Sequence, residues 1–284
     1  MTNTTPSVDK KRALILSGGG SKGSFQVGKL KQLVEQGYRW DQITGVSVGA
    51  INAIYLGMFN KHEQHSGVLQ LENLWRTKIN GNSSVYDHWL PGSLTYVASL
   101  WKGSLFDTSP LRSLIEMNVD IDKVKQSNVP IHIGVCSLNS GKFKTVLATE
   151  SNIIDYVMAS SSFPIAFPTI EIDGEVFTDG GIRNTVPIRT AIASGVSEID
   201  VIINNPLELG IARVSSSKLR SLTSKVFRTI DILSDEVLVS ELHELCLQNN
   251  ITLRIHAPAS HSEKHPLDFD KDHISKLIEL GYKS

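Results

Sequence analysis

The stretch that most constrains this chain is residues 43–52, Ile-Thr-Gly-Val-Ser-Val-Gly-Ala-Ile-Asn. A short run with β-branched Ile43, Thr44 and Val46 leads into Ser47, and an apolar, helix-like run of Ala50, Ile51, Ala53, Ile54 and Leu56 follows at once. Gly-x-Ser-x-Gly in that context reads as a strand turning sharply into a helix, with a nucleophilic serine at the tip. Gly45 and Gly49 flank the serine because the turn is crowded. Side chains there would collide with the neighbouring strand and helix. The helix N-terminus behind Ser47 also favours negative charge forming beside it. The pentapeptide arises by chance in many chains, so its meaning comes from the strand before it and the helix after it.

Upstream, residues 13–17 read as a buried strand that runs into Gly18-Gly19-Gly20-Ser21-Lys22-Gly23, and a helix follows with Phe25, Val27, Leu30, Leu33 and Val34. Gly37 stops that helix. The loop matches the dinucleotide fingerprint Gly-x-Gly-x-x-Gly, but the acidic residue at the required spacing, Asp41, precedes the next strand instead of ending it. A phosphate loop over residues 23–30 fails because Leu30 stands where Ser or Thr must hold magnesium. The reading that remains beside a plain strand–helix turn is an oxyanion hole, with the N–H groups of Gly18, Gly19 and Gly20 aimed at a developing negative oxygen. This loop and Ser47 both end strands, and adjacent parallel strands would bring them together.

Further along, residues 69–79 are helical, and residues 80–106 are irregular yet hold Tyr86, Trp89, Tyr96, Trp101 and Phe106. Ordinary satellite core is one reading of this cluster. The wall of an acyl pocket or a membrane-surface patch is the other. A helix starts near Pro110, hairpins form across residues 139–141 and at Asp173-Gly174, and His132 reads as a core histidine. The second hairpin ends in Thr178-Asp179-Gly180-Gly181, which puts a carboxylate at the close of an apolar strand. A helix from Ile188, a strand over 199–203, a long helix over 218–249, a strand over 251–255 and a helix over 271–280 complete the chain. With 28 basic and 29 acidic residues, no nucleic-acid partner is expected. Cys136 and Cys246 lie in apolar surroundings and read as buried free thiols. No apolar run has the length of a membrane span, no signal-peptide core follows the basic N-terminus, and a cytoplasmic location is the expectation. Residues 1–10 form a loose tail, and no linker divides residues 11–284, which read as one catalytic domain.

With all three glycine turns in hand, the chain resembles the patatin-like phospholipases, which carry a glycine-rich loop, Gly-x-Ser-x-Gly and Asp-Gly-Gly or Asp-Gly-Ala in this order. The resemblance extends to Ala159-Ser-Ser-Ser-Phe-Pro164 upstream of the aspartate and to Asn184-x-x-Pro187 after it. It covers residues 13 to about 205 well and the C-terminal third loosely. It implies an α/β fold, three-layer α/β/α around a central, mostly parallel sheet, and hydrolysis of a phospholipid or other acyl-ester lipid at a peripheral membrane surface. Ser47 would be the nucleophile, Asp179 the base, and Gly18, Gly19 and Gly20 the oxyanion hole. Gly23, Gly45, Gly49, Gly180 and Gly181 support the motifs. Lys22 takes a position where the family often has arginine, so a planar two-point contact is not supplied. No metal or cofactor is implied. Two rivals stand beside this. One is an α/β-hydrolase with a Ser–Asp–His triad drawing on His243, His256, His261, His265 or His273. The other is a non-catalytic module that binds a nucleotide or lipid.

Overall fold

The computed structural model describes residues 11–90, 98–99, 101–207, 219, 222–246 and 251–284. Its centre is an eight-stranded sheet. Strand β1 (Arg12–Leu16) lies between β2 (Gln42–Val46) and β9 (Glu198–Ile202), and β10 (Thr252–His256) extends the sheet beyond β9; all these pairs are parallel. On the other side β2 pairs in parallel with β5 (Ile131–Ser137). Three antiparallel strands complete it: β6 (Phe143–Leu147) against β5, and the hairpin β7 (Ile170–Ile172) and β8 (Glu175–Asp179), with β8 on β5. A separate short pair joins β3 (Asp87–His88) to β4 (Phe106–Asp107). The mostly parallel, mixed sheet expected from the sequence is what forms.

Alternation along β1 shows the layering. Leu14 and Leu16 enter one packed core, and Ala13 and Ile15 enter a second on the opposite face. The first core is covered by α1 (Gly23–Glu35), α2 (Val48–Leu56), α3 (Gln64–Lys78) and α9 (Lys271–Lys283); the second takes Ile188 and Ala191 of α7 (Ile188–Ala193) and Leu238 of α8 (Leu222–Cys246). Helices α4 (Ser109–Asn118), α5 (Ile121–Gln126) and α6 (Ile153–Ser160) complete the first side. Two glycines let α1 and α9 nearly touch: a Cβ on Gly28 would strike the Ile278 carbonyl, and one on Gly281 the Phe25 carbonyl. The expected long helix appears as α8, and the expected ends of it, residues 218, 220–221 and 247–249, lie outside the described residues, as does Tyr96.

Cys136 is buried and free, and the side chain of Cys246 is outside the described set. His132 is half-buried in β5, where burial lowers its pKa. Of the aromatic cluster, Tyr86 is buried, whereas Trp101 is 89% exposed. Among the described residues no helix is long and apolar enough to cross a membrane.

Candidate active site

Ser47 directly follows β2 and precedes α2, and it is held at φ 57°, ψ −129°, a region an L-residue enters only under strain. The flanking glycines are required by contact. A Cβ on Gly45 would collide with the Gly49 carbonyl, and one on Gly49 with the Leu16 carbonyl. The Ser47 N–H donates to Ser160 Oγ at 2.8 Å, and that hydroxyl donates to the Gly134 carbonyl at 2.7 Å. Ser160, fully buried at the end of α6, thus ties the strained turn to the middle of β5.

Sheet register brings Asp179 to the serine. Val46 pairs with Gly134 of β5, and Asp179 pairs with the next residue, Val135. Because β6 occupies the other edge of β5, strands β2 and β8 share one edge and meet end to end. The Asp179 carboxylate lies beside the Ser47 side chain, and its Oδ1 accepts the Gly181 N–H at 2.7 Å. Asp179 is 3% exposed, and burial pushes its pKa up to about 6 although the neighbouring Ser47 hydroxyl and the Gly181 N–H favour the charged form. A Cβ on Gly180 would press on the Gly134 carbonyl at 2.5 Å, so this turn too depends on glycine.

The glycine loop lies directly behind the nucleophile: a Cβ on Gly18 would sit 3.0 Å from Ser47 Cβ and 3.6 Å from its Oγ. Gly19 and Gly20 adopt φ of 143° and 57°. The N–H groups of Gly18, Gly19 and Gly20 have no acceptor among the described residues. The loop's other groups are clamped. Gln26 Nε2 donates to the Ser17 carbonyl (2.7 Å), Asn204 Nδ2 to the Gly18 carbonyl (2.9 Å), and the Ser21 N–H to the Pro266 carbonyl (2.7 Å). Behind Gln26 runs a buried polar chain, in which Asn52 Nδ2 donates to Gln26 Oε1 and Trp75 Nε1 to Asn52 Oδ1, each at 2.9 Å. Gly23 leaves room for the Val48 side chain, and Lys22 Nζ donates to Asn205 Oδ1 at 2.7 Å.

A cavity of about 1110 Å³ is lined at its polar part by Gly18, Gly19, Gly20, Lys22, Ser47, Asp179 and Gly181. Its apolar walls come from α2, α3, α4 and from Tyr86, Phe106, Phe163 and Phe167. Of the aromatic cluster, Tyr86 and Phe106 line this cavity, as does Trp75 of α3. Residues 261–269 form a further wall, fastened by Tyr86 Oη to the Leu267 carbonyl (2.7 Å) and by the Phe269 N–H to Asn82 Oδ1 (2.8 Å).

Of the histidines a triad would need, none is among the groups that shift Asp179 in the described residues. His261 and His265 line the cavity, His256 faces Asp200 at 3.4 Å, His273 meets Ser262 Oγ at 3.1 Å, and the His243 side chain is outside the described set. Among the described residues no cluster of metal-binding side chains forms. Sequence reasoning missed Ser160, Gln26, Asn52, Asn204 and the 261–269 loop. Only Ser160 had a signal, its place in the 159–164 stretch.

A family model described as "Patatin-like phospholipase" matches residues 14–192. Among curated proteins, the chain is 28% identical over 191 residues to patatin-like phospholipase domain-containing protein 6 of Homo sapiens, covering 66% of this chain and 13% of that protein. It is 28% identical over 192 residues to domain-containing protein 7 of the same name series in Mus musculus, with 66% and 13% covered. It is 21% identical over 194 residues to lysophospholipase NTE1 of Mycosarcoma maydis, with 66% and 9% covered. The match thus takes in only a small part of these relatives' length. Among solved structures, VipD from Legionella pneumophila aligns over 97% of this chain and 66% of its own, with a TM-score of 0.46 and 13% identity.

Proposed function

The chain belongs to the patatin-like phospholipase family, and from that membership we propose that it hydrolyses fatty-acyl esters of lipids through a Ser47–Asp179 dyad. The observation that carries this reading is the sheet register that sets a carboxylate enclosed by protein, Asp179, beside Ser47, with both residues lining one largely apolar cavity. Asp179 takes the hydroxyl proton as Ser47 Oγ attacks the ester carbonyl. The carbonyl oxygen becomes an oxyanion beside the N–H groups of Gly18, Gly19 and Gly20, with the N-terminus of α2 adding its favourable field. Collapse of the tetrahedral intermediate expels the alcohol, which recovers the proton from Asp179. Water then attacks the acyl-enzyme, gives its proton to Asp179, and releases the fatty acid while Ser47 is reprotonated. Each step uses only this chain's groups and water.

The substrate is a phospholipid or another acyl-ester lipid, in keeping with relatives named as a phospholipase-domain protein and a lysophospholipase. Lipid is met at a membrane surface. Exposed Trp101, and Lys102 with its Nζ 5.1 Å from the Trp89 ring centre, suit such a surface. Residues 11–284 act as one catalytic unit, because β9, β10 and α9 extend the sheet and cover the core built by the matched segment. Incubation with a fluorophosphonate probe, followed by mass spectrometry, should place the label on Ser47 alone. Ester hydrolysis should be lost in Ser47→Ala. Labelling of a different serine, or full turnover in that variant, removes the reading.

A further inference from the structure

The cavity that holds Ser47 and Asp179 has apolar walls that follow two helices away from the serine. Helix α2 presents Val48, Ile51 and Tyr55 to the cavity, three positions on one helical face running away from Ser47. Helix α4 faces the same space with Leu111, Leu114, Ile115 and Asn118. The two helices close on each other at their C-terminal ends. Val119, just past α4, lines the cavity, and the N–H of Asp120 lies 3.1 Å from the sulfur of Met58, three residues beyond Tyr55. Tyr55 is 9% exposed, and its ring is backed by Phe59 with centroids 6.2 Å apart. Tyr55 is the last residue of this α2 face that lines the cavity.

Helix geometry makes this wall a ruler. Eight residues separate Ser47 from Tyr55, which at 1.5 Å per residue is about 12 Å. An extended chain covers 3.3–3.6 Å over three bonds, about 1.2 Å per bond, so that distance takes roughly ten bonds. We propose that Tyr55 ends the acyl arm of the cavity and limits the bound acyl chain to about ten carbons. The inference rests on the acyl-hydrolase reading above and adds to it the class of acyl group accepted.

The test is a chain-length series of p-nitrophenyl esters from butanoate to hexadecanoate, presented to the full chain at a fixed fraction in detergent micelles, with Ser47→Ala as the blank. Each methylene that finds apolar surface is worth roughly fourfold in kcat/KM. In the unaltered protein, kcat/KM should climb to about decanoate and then fall. Tyr55→Ala opens the end, and should raise the hexadecanoate-to-decanoate ratio by about tenfold or more. Ile51→Trp fills the arm one turn nearer Ser47, and should move the maximum to shorter chains. Thermal melts establish that each variant is folded, and if one is not, the other decides, since they act in opposite directions. A maximum at hexadecanoate in the unaltered protein overturns the proposal. So does a profile left in place by a folded variant. Turnover that does not depend on Ser47 overturns the acyl-hydrolase reading instead, so the two failures are distinguishable.

Discussion

Burial holds the Asp179 carboxyl at a pKa of about 6 although the Ser47 hydroxyl and the Gly181 N–H both favour its charged form. The group is thereby a stronger base than a solvated aspartate and is still ionised at neutral pH. Turnover should rise with pH through about 6 and level off above it. The same shift costs stability. An unfolded aspartate titrates near 3.9, so the raised folded value contributes stability that is fully present below about 3.9 and is lost as pH rises through about 6. Above that, a shift of roughly two units amounts to a penalty of about 3 kcal/mol on the native state. Asp179→Asn should therefore lower kcat by roughly 10²–10⁴-fold while raising the melting temperature at pH 7–8. Rate–pH profiles and melts on the same preparations check both halves. A triad makes a different forecast. A folded His261→Gln or His265→Gln variant that lost as much rate as Asp179→Asn would put a histidine in place of the dyad.

At the scale of elements, the site depends on how the sheet and helices grip two turns. Ser160 is one such grip, because its hydroxyl satisfies both the Ser47 N–H and the Gly134 carbonyl. Ser160→Ala leaves both unpaired in a dry place, and should cost about 1–3 kcal/mol in denaturant unfolding together with a fall in kcat larger than any change in KM. A second grip lies across β9, β1 and β10. Asp200, with no exposed surface, accepts from Trp40 Nε1 at 2.8 Å and Arg254 Nε at 2.7 Å, with Arg12 Nε 3.7 Å away; Arg12 and Arg254 also pair with Glu198. Burial pushes the Asp200 carboxyl up, but the bonds from His256, Arg254 and Trp40 outweigh it, and the pKa is lowered. That contribution is present above the unfolded value near 3.9 and is lost as pH falls through the lower folded value. Asp200→Asn leaves two guanidinium groups without their buried partner, and should cost about 3–5 kcal/mol at pH 7, with a smaller deficit below about pH 4. Urea unfolding at the two pH values measures it.

For the whole molecule, the cavity joins parts of the chain far apart in sequence. The family model ends at residue 192, yet the Pro266 carbonyl holds the glycine loop, the Leu267 carbonyl receives the Tyr86 hydroxyl, and residues 261–269 form a wall. On the proposed function, a lipid substrate also has to leave its own surface to enter. Trp101, 89% exposed, is the most exposed large apolar residue described. Trp101→Ala should lower co-sedimentation with phospholipid vesicles while the melting temperature stays within about 1–2 °C, since an exposed side chain contributes little to folding. Equal sedimentation of the two proteins would remove Trp101 from the lipid-facing surface.

What this sequence determined alone is what is written within a few residues. The crowding around Ser47 demands glycine at 45 and 49, the turn after Asp179 demands Gly180, and β-branched runs bounded by turns mark β2, β5 and the β7–β8 hairpin. Those requirements are steric and local, so they leave a pattern in the order of residues. Tertiary structure alone decided which edge of β5 carries β8, and therefore that Asp179 meets Ser47 end to end with β2. It alone chose Ser160, Gln26, Asn52 and Asn204 as the groups that hold the turns, Tyr55 as a lining residue of the cavity, and the Pro266 loop as a wall. Such partners lie far along the chain from the groups they hold, as Pro266 does from Ser21, and a buried serine or asparagine has no periodicity of its own. A polar group is satisfied by whatever reaches it through space, and only the folded chain specifies that distance.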